Sequence, residues 1–258
     1  MSRTDWNPEL YSRFAGLRLR PALDLLAQVG TLPDGPVCDL GCGTGVVGPM
    51  LKTRFPDREL TGMDSSTAML KKADETGAYD TLEKADIANW SPEDNFALIF
   101  SNAALHWLDD HESVLEQLVR YLRPGGTLAV QVPNQNRAPS HRIWLDLVGE
   151  HFPGRVKPET IPGVMERGEY FHTLAPFGAV DLWETEYFQR LPASDEGHPV
   201  RHFTSSTFAR PVLDRLDEGE TVMIEKLYDE VMEKAYPRQP DGSVIFPFRR
   251  LFFKLEKS

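Results

Sequence analysis

The chain has 258 residues, 41% of them hydrophobic and 26% charged, which is enough apolar material for one large α/β domain with an insertion or for two modest domains. Its formal net charge is −11, from 28 basic and 39 acidic residues, and a field of that sign opposes nucleic acid and anionic membrane as partners. An anionic substrate therefore needs a local cluster of arginines.

The opening "MSRTDWNPEL" lacks the apolar core of a secretory signal, and no later run reaches the roughly 18 apolar residues of a membrane span, so the expectation is a cytoplasmic protein. Residues 1–34 read as a lid and a first helix. An aromatic segment carries Trp6, Tyr11 and Phe14, and the helix after it takes its apolar face from Leu19, Leu23, Leu26 and Val29. Val37–Leu40 reads as a buried strand, followed by a turn with Gly41, Gly43 and Gly45 and a helix carrying Val47, Met50 and Leu51. Cys38 and Cys42 stand too close within this turn to suggest a zinc site or a disulfide, and read as reduced thiols beside a sheet. "ELTGMD" is a second strand, and "SSTAMLKKADE" a helix with Ser65 or Ser66 at its N-cap. "TLEKAD" and "FALIFSN" are the third and fourth strands. "HESVLEQLVRYL" is a helix that "RPGG" is expected to stop, and "TLAVQVP" is the fifth strand.

Strand and helix alternate over residues 37–133, the pattern of right-handed crossovers and a mostly parallel sheet covered on both faces, and residues 35–133 are expected to form the cofactor-binding core. After Pro133 the rhythm changes. Helical pieces near "HRIWLDLVGEHF" and "MERGEYFHTLAPF", a long strand "AVDLWETEYFQRL", a helical stretch over 195–237 and a last strand "VIFPFRRLFFKLE" follow. The expected architecture is α/β: a doubly wound, mostly parallel seven-stranded sheet. Residues 134–258 supply its last strands and a helical cap inserted in the C-terminal half.

In an open parallel sheet, ligands sit beyond the carboxyl ends of the strands, where the glycine turn belongs. A dinucleotide fingerprint needs a third glycine where Val46 stands, and a phosphate-binding P-loop needs a Gly-Lys-Ser or Gly-Lys-Thr that is absent. Asp39, just before the turn, would repel a pyrophosphate. A cationic ligand without phosphate suits it better, and S-adenosylmethionine is one. Asp64, about 20 residues beyond the turn, is placed to take both ribose hydroxyls. Asp86 can accept from the adenine amine while the Ile87 amide reaches a ring nitrogen, and Asn102 ends the fourth strand beside the methionine moiety. Gly41, Cys42, Gly43 and Gly45 of the turn and Ser65 beside Asp64 complete the expected cofactor contacts.

"DLGCGTG", "GMDSS", "ADI", "SNAALHWL" and "LRPGG" occur in the order found in class I S-adenosylmethionine-dependent methyltransferases, and residues 35–133 resemble that family. The resemblance implies a Rossmann-like fold and S-adenosylhomocysteine as product. The flanks "DWNPELYSRF", "LRLRPALDLL", "AVQVPNQ" and "FPFRRLFF" resemble the trans-aconitate methyltransferases over nearly the full length, which implies esterification of one carboxylate of a small tricarboxylic acid. "TGVVGPM" and His106 depart from the pattern, the latter on the acceptor side.

An acceptor carboxylate is already ionised at neutral pH, so no general base and no metal are required. The site must align the reacting atoms, exclude water and hold the other carboxylates, for which the planar fork of arginine is suited. Arg18, Arg20, Arg137, Arg142, Arg249 and Arg250 are the candidates, with Arg20 and Arg249 first; Trp6, Tyr11 and Phe14 are expected to fold over the cofactor as a lid, with Trp6 and Tyr11 also reaching the substrate. Tyr170 is expected to donate its hydroxyl to the acceptor, and His106 to shape the pocket beside Trp107 or, for a phenol or amine, to act as base. A monomer acting on a small anionic polycarboxylate is the expectation. The competing readings are a methyltransferase for another carboxylic or phenolic metabolite, a non-catalytic cofactor-binding regulator, and a nicotinamide oxidoreductase, the last disfavoured by Val46 and Asp39.

Overall fold

A computed structural model of the chain describes residues 15–156, 161 and 163–258, and of residues 15–18 only the backbone. Trp6, Tyr11 and Phe14, and the side chain of Arg18, lie outside the described residues. Seven strands form one sheet: β1 Val37–Leu40, β2 Leu60–Asp64, β3 Thr81–Lys84, β4 Phe96–Asn102, β5 Leu122–Pro133, β6 Gly178–Leu191 and β7 Val244–Lys257. Their order is β3-β2-β1-β4-β5-β7-β6. Pairing among β1 to β5 is parallel, with Val37 opposite both Leu60 and Leu98, and Ile99 opposite Leu128. The order reverses between β1 and β4, so a crevice opens where Leu40 and Asn102 end those strands.

The helices among the described residues are α1 Ala15–Ala27, α2 Gly48–Arg54, α3 Thr67–Asp74, α4 His111–Arg120, α5 Pro139–His151, α6 Arg167–Leu174, α7 Pro199–Ser205, α8 Arg210–Leu213 and α9 Glu218–Ala235. Two expectations change here. The buried face of α1 is Ala22, Leu25 and Leu26, continued by Val29, while Leu23 is exposed. The i, i+3, i+4, i+7 set thus begins at residue 22 and not 19. "RPGG" does not stop a helix either. Helix α4 already ends at Arg120, capped by Tyr121, and Arg123–Gly126 bulge out of β5. Phe96 faces Leu122 and Leu98 faces Thr127, so five steps along β5 pass two along β4.

The chain divides into two compact units, one of Met1–Val132, Val164–Glu184 and Leu251–Ser258, the other of Pro133–Gly163 and Thr185–Arg250. In the first unit Ile99, Leu128 and Val130 pack with Leu115, Leu118 and Val119 of α4, with Tyr170 and Leu174 of α6, and with Phe253. Each such side chain contributes about 1.5–3 kcal/mol when fully buried. The second unit is built around Trp144, stacked on Tyr228 at 3.9 Å between ring centres, with its indole N–H donated to Thr204 Oγ1 at 3.0 Å. Arg201 there is paired with both Glu225 and Asp229. No described helix is long and apolar enough to cross a membrane.

Candidate active site

The glycine turn after β1 spends its amides on the protein. The N–H groups of Gly41 and Cys42 both donate to the Met63 carbonyl, at 2.8 and 2.9 Å, and that of Gly45 donates to the Cys42 carbonyl at 3.0 Å. The Gly43 N–H donates to Asp64 Oδ2 at 2.9 Å. The amides of Gly41, Cys42, Gly43 and Gly45 are thus engaged within the protein and not offered to an anion. Gly41 is required here on two counts. Its φ is +73°, and a Cβ would lie 2.3 Å from that of Ala104.

Asp64 ends β2 and brackets the next helix as well, its Oδ1 accepting from the Ser66 N–H at 2.8 Å. Ser66, not Ser65, is the N-cap of α3. Asp86 caps the short turn Ile87–Asn89 by accepting from the Ala88 N–H at 3.1 Å, and stays exposed. Asp39 lies in β1, 2% exposed, and accepts from the Tyr79 hydroxyl at 2.7 Å. Burial pushes its carboxyl up to about 7; the Tyr79 bond opposes this and the nearby Asp64 charge adds to it.

Asn102 ends β4 with a buried Oδ1 that has no hydrogen-bond partner, and Gln131, opposite it in β5, has a fully buried amide in the same condition. Leaving such groups unsatisfied costs about 1–3 kcal/mol each, which a polar ligand at this edge would recover. Ala103, next in the chain, is the only non-glycine residue with positive φ among the described residues, at 57°. Backbone strain of this kind concentrates where ligands bind.

One cleft collects these features. Asp39, Gly41, Cys42 and Gly43 line it from the first strand and turn, Asp64 and Ser65 from the second, Asp86 and Ile87 from the third, and Asn102 and Trp107 from the fourth. Thr44, Ala104 and Leu108 line it too, within the motifs "DLGCGTG" and "SNAALHWL" but not singled out there, and so does Met69 of α3. Its described lining holds three carboxylates and no Lys, Arg or His. The donor set fits a cation with hydroxyl and amine groups, as S-adenosylmethionine is, and rejects a phosphate.

Other expected site residues lie elsewhere. Gly45 faces α3, where a Cβ would come 2.8 Å from Ala73 Cα. His106 does not line the cleft; its ring lies 4.9 Å from that of Trp107. Tyr170 is fully buried, stacked on Phe253 at 4.7 Å, with its hydroxyl 2.6 Å from His111 Nδ1. It is a core residue because its ring closes the apolar layer of α4, and its hydroxyl is already committed. Arg20 is exposed and pairs with Asp24 at 3.8 Å, and Arg142 is exposed and pairs with Asp146 at 3.2 Å. Arg137 is exposed. Arg249 is exposed, 3.8 Å from Glu186. Arg250 is buried with its guanidinium 4.3 Å from the centre of the Phe248 ring. Tyr79 is the functional candidate that sequence reasoning missed, since it follows a loop glycine and belongs to no motif.

Comparison with known proteins agrees with this geometry. Residues 37–126 match a family described as a methyltransferase domain. The chain is 38% identical over 251 residues to trans-aconitate 2-methyltransferase of Escherichia coli O139:H28 (strain E24377A / ETEC), covering 96% of this chain and 97% of that one. It is 37% identical over 256 residues to trans-aconitate 2-methyltransferase of Pseudomonas aeruginosa (strain UCBPP-PA14), covering 96% and 92%. Among solved structures, the YcgJ protein of Bacillus subtilis superposes with a TM-score of 0.57 at 15% identity, covering 93% of this chain and 99% of that one, a likeness of fold. With a Rossmann-like sheet, a cleft suited to a cationic nucleoside and this likeness along nearly its whole length, the chain belongs to the trans-aconitate 2-methyltransferase family and is an S-adenosylmethionine-dependent methyltransferase.

Proposed function

We propose that the chain esterifies one carboxylate of trans-aconitate, or of a closely related small polycarboxylate. The observation that carries the reading is the likeness to enzymes of that name at 37–38% identity over 96% of the chain. When bound, S-adenosylmethionine supplies a methyl group on a sulfonium, which an ionised carboxylate oxygen takes by in-line displacement. The chain's residues do the rest. Asp39 faces the ammonium end, Asp64 holds the ribose hydroxyls, Asp86 and Ile87 hold the adenine, and Asn102 takes a polar group of the methionine moiety. Trp107 and Leu108 exclude water from the cleft.

No proton has to be moved, because a carboxylate with a reference pKa near 4 arrives ionised. That agrees with a described cleft lining that lacks histidine and lysine. The carboxylates that are not methylated need cations outside this acidic cleft, and the arginines, with Arg20 and Arg249 first, supply them. Residues 1–34 act as lid and first helix, 35–133 as the cofactor-binding core and 134–258 as cap and last strands. The protein works in the cytoplasm as a monomer, without a nucleic-acid or membrane partner.

The test is kinetic. Arg20→Ala and Arg249→Ala are each expected to lose about 2–4 kcal/mol of transition-state stabilisation with trans-aconitate. A monocarboxylate analogue should lose far less, and S-adenosylmethionine affinity should hold. Equal losses on both acceptors, or none, would reject the clamp. No turnover of any di- or tricarboxylate would reject the substrate class.

A further inference from the structure

Tyr79 stands in the loop between α3 and β3, and its ring is seated against backbone from two other elements. A Cβ at Gly48 would lie 2.6 Å from Tyr79 Cζ, and one at Gly62 would lie 2.7 Å from Cδ1. The start of α2 and the middle of β2 are therefore bare where this ring passes, and the ring has one seat. That seat delivers its hydroxyl to Asp39 Oδ2, across 40 positions of sequence. A tyrosine buried only for its apolar area has no need to aim at a carboxylate, and burial keeps this phenol protonated as a donor.

We propose that Tyr79 is a positioning residue for the cofactor: its hydroxyl orients Asp39 and keeps it charged for the cationic amino-acid end of S-adenosylmethionine. The proposal rests on the reading that Asp39 faces that end. Asp39 is otherwise in a place hostile to charge. It is buried in β1, next to Cys38 in the same strand, with Cys42 in the turn and the Asp64 carboxylate at the end of β2. Of the influences on its ionisation, burial and Asp64 favour the protonated form, and the Tyr79 hydroxyl alone favours the anion. Removing that hydroxyl while keeping the ring leaves the seat filled and the carboxyl more readily neutralised.

The experiment measures binding and does not depend on turnover. S-adenosylhomocysteine carries the amino-acid end, whereas 5′-methylthioadenosine keeps the adenosine and lacks it. Affinities of both are measured by calorimetry from pH 6 to 8.5 for the full chain, for Tyr79→Phe, for Asp39→Asn and for the double variant. Tyr79→Phe should bind S-adenosylhomocysteine about tenfold more weakly at pH 7, the scale of a hydrogen bond to a charged group, and recover most of this by pH 8.5. Its affinity for 5′-methylthioadenosine should stay within about twofold, as for a ligand outside the contact. In the Asp39→Asn background Tyr79→Phe should add nothing, because the group it acts through is gone.

A loss independent of pH, an equal loss for both ligands, or an undiminished loss in the Asp39→Asn background would overturn the proposal in favour of a packing role. Asp39→Asn binding S-adenosylhomocysteine as well as the unaltered chain at every pH would show instead that the reading of Asp39 is at fault.

Discussion

Asp64 offers the sharpest single perturbation, because its two oxygens are engaged in the fold while it is also assigned to the cofactor. Replacing it with asparagine leaves one oxygen for two amide donors. One of the Gly43 and Ser66 N–H groups, now at 2.9 and 2.8 Å from a carboxylate, would then face an NH2 group. Losing one such acceptor costs about 1–3 kcal/mol of stability. At about 2–4 °C per kcal/mol for a chain of this size, melting of the ligand-free protein should drop by roughly 2 to 12 °C. The ribose hydroxyls lose a charged acceptor in the same change. This should weaken S-adenosylhomocysteine by about 1.5–3 kcal/mol, or roughly 10- to 150-fold. Thermal melting without ligand and titration calorimetry with it separate the two effects. Unchanged affinity with a lowered melting point would make Asp64 a bracket for the glycine turn and nothing more. Unchanged values of both would refute the energetic reasoning about its hydrogen bonds.

His106→Gln should keep most of its turnover, and the rate at saturation should stay nearly flat from about pH 6 to 8, since the acceptor brings its own charge; a loss beyond about a hundredfold would make His106 a base and favour a phenol or amine. Gly41→Ala, with its Cβ driven into Ala104 at 2.3 Å and a φ of +73°, should destabilise the fold by about 1–3 kcal/mol in denaturant titration, and an unchanged midpoint would contradict the close approach. Asp39 binds its proton more tightly in the folded chain, at about 7 against an ordinary 3.8, so its stabilising contribution is complete below pH 3.8 and is lost as pH rises through 7. Ligand-free melting should therefore fall across that interval by more than in Asp39→Asn, and equal slopes would refute the shift.

The alternation of strand and helix was legible because β1, β2 and β4 are buried on both faces and read as short, mostly apolar runs bounded by polar or glycine-rich segments. Asp39 stood out as a charge inside such a run, and Asp64 as one at the end of another. Local signals failed where a neighbour in space decides. "RPGG" looks like a helix stop in isolation, but Leu98 pairing with Thr127 turns it into a bulge. Leu23 has the spacing of a buried residue and lies on the outer side of α1. Tyr170 reads as an acceptor contact because it is a polar aromatic in a predicted cap, and only the packing of Phe253 and His111 shows it as core. Gly45 falls in the motif and serves α3. Tyr79 has no motif at all, because what defines it is the bare backbone of Gly48 and Gly62.

A protein that stores an alkylating agent against its own thiol must keep that thiol silent. Cys42 lines the cleft proposed above for S-adenosylmethionine, and a thiolate sulfur is intrinsically a better nucleophile than the carboxylate oxygen proposed to receive the methyl group. Burial and the charges of Asp39 and Asp64 push its thiol far above the range in which a thiolate forms at neutral pH, and its sulfur rests 3.8 Å from the Gly43 carbonyl as a weak donor. On the reading that this cleft takes S-adenosylmethionine, burial first and the same carboxylates second keep the protein's own thiol from competing for the methyl group.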